Sequence, residues 1–182
     1  MITQYTYIIL SNKYKLCYYS IMYYYYTKQT SQGLITITEQ KGFITSLNFG
    51  NYKAKNFAHV LPVKNFLSDT ISQAFFQLEE YFEGKRQEFN LPLNPKGTPF
   101  QQKVWSALLT IPYGETRSYK DIATQIGKPN AQRAVGMANH ENPIPIFIPC
   151  HRVISSDGSL GGYSGGLDIK TKLLNIESKY NL

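Results

Sequence analysis

Between Asn142 and Ile154 three prolines, Pro143, Pro145 and Pro149, interrupt a run of Ile144, Ile146, Phe147 and Ile148. Each proline locks φ near −65° and removes a backbone donor, so the stretch is neither a helix nor a central strand. Its apolar side chains demand burial all the same. The chain is therefore expected to run extended through the interior and to deliver Cys150 to a fixed place. Asn142 could satisfy buried backbone groups where the stretch begins. A thiol attacks as its thiolate, and His151 and Arg152 directly after Cys150 supply the positive surroundings that favour that form. Neighbours in a regular strand point to opposite faces, so contact between Cys150 and His151 needs irregular backbone or a bridging water. On the residues alone, Cys150 is either a nucleophile or inert packing.

Composition narrows the classes. Cys17 and Cys150 are the two cysteines, too few for a disulfide scaffold or a four-cysteine zinc site. They point to free thiols in a reducing, cytoplasmic setting. His59, His140 and His151 lack metal-binding spacing, so no metal and no cofactor are expected. Of 182 residues, 42% are hydrophobic and 17% charged, which is incompatible with wholesale disorder. No apolar run approaches the roughly 18 residues of a membrane span. The formal charge of +7 suits a polyanion such as nucleic acid, although basic enzymes without such a partner are also common.

Three segments follow from patterning. Residues 1–21 form a tyrosine-rich stretch without signal-peptide features, read as a leader in preference to an extra aromatic strand. Residues 22–95 form a small N-terminal domain. Leu34–Thr38 and Phe43–Phe49, joined by Glu39–Gly42, read as a hairpin. Phe43, Leu47 and Phe49 are expected on one face, with Ile44, Ser46 and Asn48 on the other. Ser68-Asp69-Thr70 then opens a helix carrying Ile71, Ala74, Phe75, Leu78 and Phe82 at helical spacing, stopped by Gly84. The proline-containing stretch Leu91–Gly97 reads as a linker into residues 96–182.

In that last segment Thr98 and Pro99 start a helix with Phe100, Val104, Ala107 and Leu108 as its stripe. Ser118-Tyr119-Lys120-Asp121 has the capping-box pattern of a second, with Ile122, Ala123 and Ile126 buried and Gly127 as its stop. Asn130 is expected to cap a third, Ala131–Ala138, with Ala131, Ala134, Val135 and Ala138 on one face and Arg133, Gly136 and Met137 on the other. The pair forms a helix-turn-helix, which is either a nucleic-acid reader or two ordinary packed helices.

Ile148-Pro149-Cys150-His151-Arg152-Val153-Ile154 resembles the active-site signature of the O6-alkylguanine-DNA alkyltransferases. The helix-turn-helix before it, Asn142-Pro143, Gly162-Tyr163-Ser164-Gly165-Gly166-Leu167 and Leu173-Leu174-Asn175-Ile176-Glu177 resemble that family in order and spacing. The likeness covers about Thr98 to Glu177 and is architectural only over 22–95. It implies an α/β (α+β) chain: a small sheet-plus-helix domain, then a mainly helical domain with a winged-helix-like helix-turn-helix. It also implies a monomer that flips O6-alkylguanine out of double-stranded DNA and takes the alkyl group onto Cys150 once.

By the same resemblance His151, linked through a water to Glu177, is the base, and Tyr119 protonates the departing guanine. Asn142 braces the cysteine turn and Arg133 fills the gap left by the flipped base. Pro145 walls the pocket, backbone near Val153, Tyr163 and Ser164 holds the base, and small residues such as Gly136 fit the minor groove. Gln132 and the proline-free Ser31-Gln32-Gly33 depart from the family pattern. The competing readings are a non-catalytic binder of alkylation damage and a helix-turn-helix regulator.

Overall fold

Lys41 and Gly42 both take positive φ, 54° and 79°, which makes the two-residue turn whose twist suits a hairpin. The turn is shorter than the four residues expected, because Glu39 and Gln40 remain paired to the following strand. The computed structural model describes residues 23–50, 60–62 and 68–180; the leader reading of residues 1–21 and Cys17 lie outside these. Strand β1 (Tyr23–Thr30) pairs antiparallel with β2 (Gly33–Gln40), and β2 with β3 (Phe43–Phe49). Strand β4 (Val60–Pro62) joins β1 in parallel, giving the order β3-β2-β1-β4.

Simple alternation fails in β3. The register slips between Thr38 and Glu39, leaving Thr45 as an extra residue, a bulge that reverses the facing of everything before it. Ile44 and Leu47 therefore both reach the core while Phe43 is 45% exposed, contrary to the expected grouping of Phe43 with Leu47. Against the sheet lies α1 (Asp69–Phe82), capped by Ser68 Oγ, which accepts from Ile71 N at 3.2 Å. Ile71, Ala74, Phe75, Leu78, Tyr81 and Phe82 are its buried face. Gly84 follows with φ 72°, and a Cβ there would run into the Tyr180 ring.

The second half begins with α2 (Pro99–Leu108), started by a capping box between Thr98 and Gln101. Trp105 is buried on it and donates to Ala138 O at 2.8 Å. Strand β5 (Arg117–Ser118) leads into α3 (Tyr119–Gln125), where Ser118 and Asp121 form the expected box. After the turn comes α4 (Gln132–His140). Asn130 does not cap it: the cap position is Ala131, with no side-chain bond. Helix α4 buries Val135, Ala138 and Asn139, and Ala134 is exposed rather than packed. One turn of 3₁₀ helix (Cys150–Arg152), strand β6 (Val153–Ile154), parallel to β5, and α5 (Leu167–Lys179) complete the chain.

The two halves are stitched along the outer edge of β3. Ile44 N donates to Pro92 O at 2.8 Å and Ile44 O accepts from Asn94 N at 2.8 Å, so the linker is bound to the sheet. Leu47 N donates to Pro143 O at 2.9 Å, which ties the start of the proline stretch to the same edge. Among the described residues no helix is long and apolar enough to cross a membrane.

Candidate active site

The proline stretch does not run extended. Ile148 N reaches back to Ile144 O at 3.0 Å, and Ile146 sits at φ 75°, a conformation a β-branched residue adopts only under constraint. Prolines exclude helix and ladder but leave room for a tight loop, and Asn142 builds one. Its Oδ1 accepts from Ile144 N at 3.0 Å and its Nδ2 donates to Ile148 O at 2.8 Å. Pro145 is buried within the loop, bridged to Ile148. Asn142 thus ties the entry of the loop to its exit.

The loop delivers Cys150, 1% exposed, as the first residue of the 3₁₀ turn. Such a turn has three residues per revolution, so Cys150, His151 and Arg152 fan out rather than alternate. His151 and Arg152 swing inward beneath α5 and meet Glu177, itself 1% exposed. His151 Nε2 lies 2.8 Å from Glu177 Oε1. No water separates them, which corrects the linkage the resemblance implied. Arg152 Nε donates to Oε2 at 2.9 Å, and Nη2 to Oε1 at 3.0 Å. The Tyr81 hydroxyl donates to Oε1 at 2.7 Å and Gly114 N to Oε2 at 3.2 Å.

Electrostatics follow from this cage. Burial alone would raise the Glu177 carboxyl, but His151 and Arg152 hold it down at about 2. Burial pushes His151 below its ordinary value despite Glu177, so the imidazole is neutral. A neutral ring facing a carboxylate carries its proton on Nε2, which leaves Nδ1 as the acceptor. That Nδ1 is buried and has no partner among the described residues. Burial also pushes the Cys150 thiol up to about 11, although the Asn142 amide and the Lys170 ammonium pull the other way. A thiol held that high needs a base to ionise at neutral pH, and no hydrogen bond joins Cys150 Sγ to His151 Nδ1.

Tyr119, at the start of α3, is raised by burial and then by the Cys150 charge. It is seated by Gly161, where a Cβ would overlap its hydroxyl. Tyr163 is 7% exposed, is raised by burial and then by Cys150, and its hydroxyl has no partner among the described residues. Val153 follows the 3₁₀ turn, and its carbonyl accepts from Lys170 Nζ at 2.6 Å. Ser164 is exposed on the turn before α5. Arg133 is exposed on α4 and bonds to no described residue. A Cβ at Gly136 would meet the Tyr119 ring at 3.8 Å, so no described neighbour requires glycine there.

Sequence reasoning missed Lys170, Tyr81 and Asn139. Lys170 is fully buried, bonded to Val153 O and to Gly161 O at 3.2 Å. The signal was present: Lys170, Leu173 and Glu177 share one helical face, so two charged groups lie on an apolar stripe. Asn139 Nδ2 donates to the Cys150 carbonyl at 3.2 Å. Nothing local marks Tyr81, which reaches Glu177 from the other half.

A buried thiol followed in the chain by a carboxylate-anchored imidazole is the arrangement the motif resemblance pointed to. Residues 99–179 match the family described as 6-O-methylguanine DNA methyltransferase, DNA binding domain, and residues 21–95 match its ribonuclease-like domain. The chain is 48% identical over 158 residues to the constitutive methylated-DNA--protein-cysteine methyltransferase of Bacillus subtilis, covering 86% of this chain and 96% of that protein. A crystal structure of the Mycobacterium tuberculosis OGT in complex with DNA superposes with a TM-score of 0.78 at 45% identity, covering 87% and 94% of the two chains. An O6-methylguanine DNA methyltransferase from Methanococcus jannaschii gives 0.64 at 29% identity, covering 84% and 93%. The chain belongs to the 6-O-methylguanine DNA methyltransferase family.

Proposed function

We propose that this protein repairs O6-alkylguanine in double-stranded DNA by moving the alkyl group onto Cys150, once per molecule. The observation that carries the reading is the Cys150 thiol, neutral at rest, followed directly by an imidazole whose Nε2 is fixed by Glu177 and whose Nδ1 is unclaimed. His151 Nδ1 takes the thiol proton through one bridging water. The thiolate attacks the alkyl carbon, the S–C bond forms and the C–O6 bond breaks. Tyr119 gives its proton to guanine N3 as the electron pair departs, and the His151 proton restores it through solvent. The net products are the S-alkyl thioether and unmodified guanine, with no cofactor. The alkyl carbon lies inside the base stack, so the nucleotide must leave it at a cost of a few kcal/mol.

Arg133, exposed and unbonded on α4, is the side chain assigned to the vacated gap, an insertion that offsets part of that cost. Gly136 keeps the same helix face low. Pro145, Tyr163, Ser164 and backbone at Val153 are assigned to the base pocket. The burial of Pro145 and Tyr163 and the tie from Lys170 to Val153 support this. A division at residues 22–95 and 96–182 accords with the two family matches, and work in the reducing cytoplasm accords with a free thiol. Incubation with duplex DNA carrying O6-methylguanine should add one methyl group per protein, located on Cys150 by peptide mapping, and then stop. The Cys150→Ala variant should retain DNA affinity and acquire no label. Repeated turnover, label elsewhere, or binding without label would overturn the assignment.

A further inference from the structure

The chemistry above draws on residues of the second half alone, and it leaves a buried phenol of the first half unexplained. Tyr81 is 0% exposed in the last turn of α1, with the rings of Phe89 and Tyr113 at 5.3 and 6.1 Å. Phenylalanine would fill that aromatic site as well, so packing does not account for the hydroxyl. A buried hydroxyl is costly unless bonded, and this one is spent on the far domain. It donates to Glu177 Oε1 at 2.7 Å and stands 3.4 Å from His151 Nε2. Oε1 is the oxygen that holds His151.

We infer that Tyr81 is a positioning residue for the transfer: its hydroxyl shares Glu177 Oε1 with His151, weakening the carboxylate's pull on the imidazole so that Nδ1 stays open to the Cys150 proton. The inference rests on His151 being the base of the proposed reaction. A hydrogen bond to a carboxylate stabilises its charge and lowers its demand for other protons. Without the phenol, that demand falls on His151 and Arg152. Imidazolium is then favoured, and the base is lost to protonation at a higher pH. The other groups facing the pair are Arg152 from the 3₁₀ turn, Gly114 N and Tyr113 before α3, and Tyr163 and Lys170 around α5. A Tyr81→Phe substitution alters none of them. Tyr81 thereby makes the N-terminal half a participant in tuning the nucleophile.

The test compares full-length wild type with Tyr81→Phe, using free O6-benzylguanine base as alkyl donor so that DNA docking plays no part. Between pH 5 and 9 the acid limb of the rate profile should move upward by about half a pH unit or more. The rate above pH 8 should stay within roughly threefold of wild type, because the imidazole is then unprotonated in both proteins. The His151 imidazole resonance, titrated by NMR without any alkyl donor, should move in the same direction. Incorporating 3-fluorotyrosine at position 81, a stronger donor of the same shape, should move both curves downward. Superimposable curves, or a lowered plateau with an unmoved acid limb, would overturn the inference. If wild type transfers no alkyl group, the proposed function fails, while the imidazole titration still decides the role of Tyr81.

Discussion

Replacing Glu177 with glutamine removes one charge from the most heavily bonded group in the site. The carboxylate accepts from His151, Arg152, Tyr81 and Gly114 N, and glutamine keeps its shape with a single oxygen. Arg152, 6% exposed, is left as a buried cation, and one N–H donor now faces an amide N–H. Breaking a buried pair in this way costs about 3–5 kcal/mol. The carboxyl gives an independent figure. Held at about 2 against an ordinary 4.5, in part by a His151 charge that is absent at neutral pH, it contributes at most about 3 kcal/mol to folding there. The folded value is the lower one, so this contribution is complete above about pH 5 and is lost as pH falls toward 2.

Urea unfolding followed by Trp105 fluorescence should therefore show Glu177→Gln about 3–5 kcal/mol less stable than wild type at pH 7. The corresponding fall in Tm is about 10 °C. At pH 3 the gap should shrink to less than about half, because wild type has lost most of the same contribution. A gap below about 1 kcal/mol at pH 7, the worth of an ordinary surface pair, would refute the reasoning. So would a gap equally wide at both pH values.

Arg133→Ala should leave stability within about 0.5 kcal/mol, since the side chain is exposed and unbonded. It should slow transfer from methylated duplex DNA far more than transfer from the free base; equal losses on both substrates would remove Arg133 from the duplex gap. Asn142→Ala strands Ile144 N and Ile148 O inside the loop and should cost roughly 2–4 kcal/mol. It should also slow free-base transfer, and an unchanged urea midpoint would show that Asn142 is not the brace.

The helices were legible wherever capping chemistry is local: Ser68, Thr98 and Ser118 each bond the backbone they were expected to bond. The facing of β3 was not, because one extra residue at Thr45 reverses parity and no residue type announces a bulge. Helix α4 misled for a related reason. Ala134 fits a buried stripe by spacing, yet small residues serve equally on a face left open, and here it is exposed. The motif resemblance pointed to the contact of His151 with Glu177, and the side-chain chemistry of Asn142 beside prolines pointed to its backbone bonds. Irregular backbone supplied what periodicity lacks. A left-handed isoleucine and a 3₁₀ turn bring adjacent residues into one cluster, and strand or helix templates describe neither. Tyr81 lies 96 residues from its partner, a distance over which single-sequence patterning carries no signal.

The edge of β3 has one more consequence. A strand at the margin of a sheet normally offers its free amides and carbonyls as a template on which a second molecule can pair and aggregate. Here Pro92 and Asn94 occupy both backbone groups of Ile44, and Pro143 takes the amide of Leu47. The segment that presents the nucleophile thus also blocks that flank against unwanted strand addition, so loosening it for reactivity would expose the molecule to self-association.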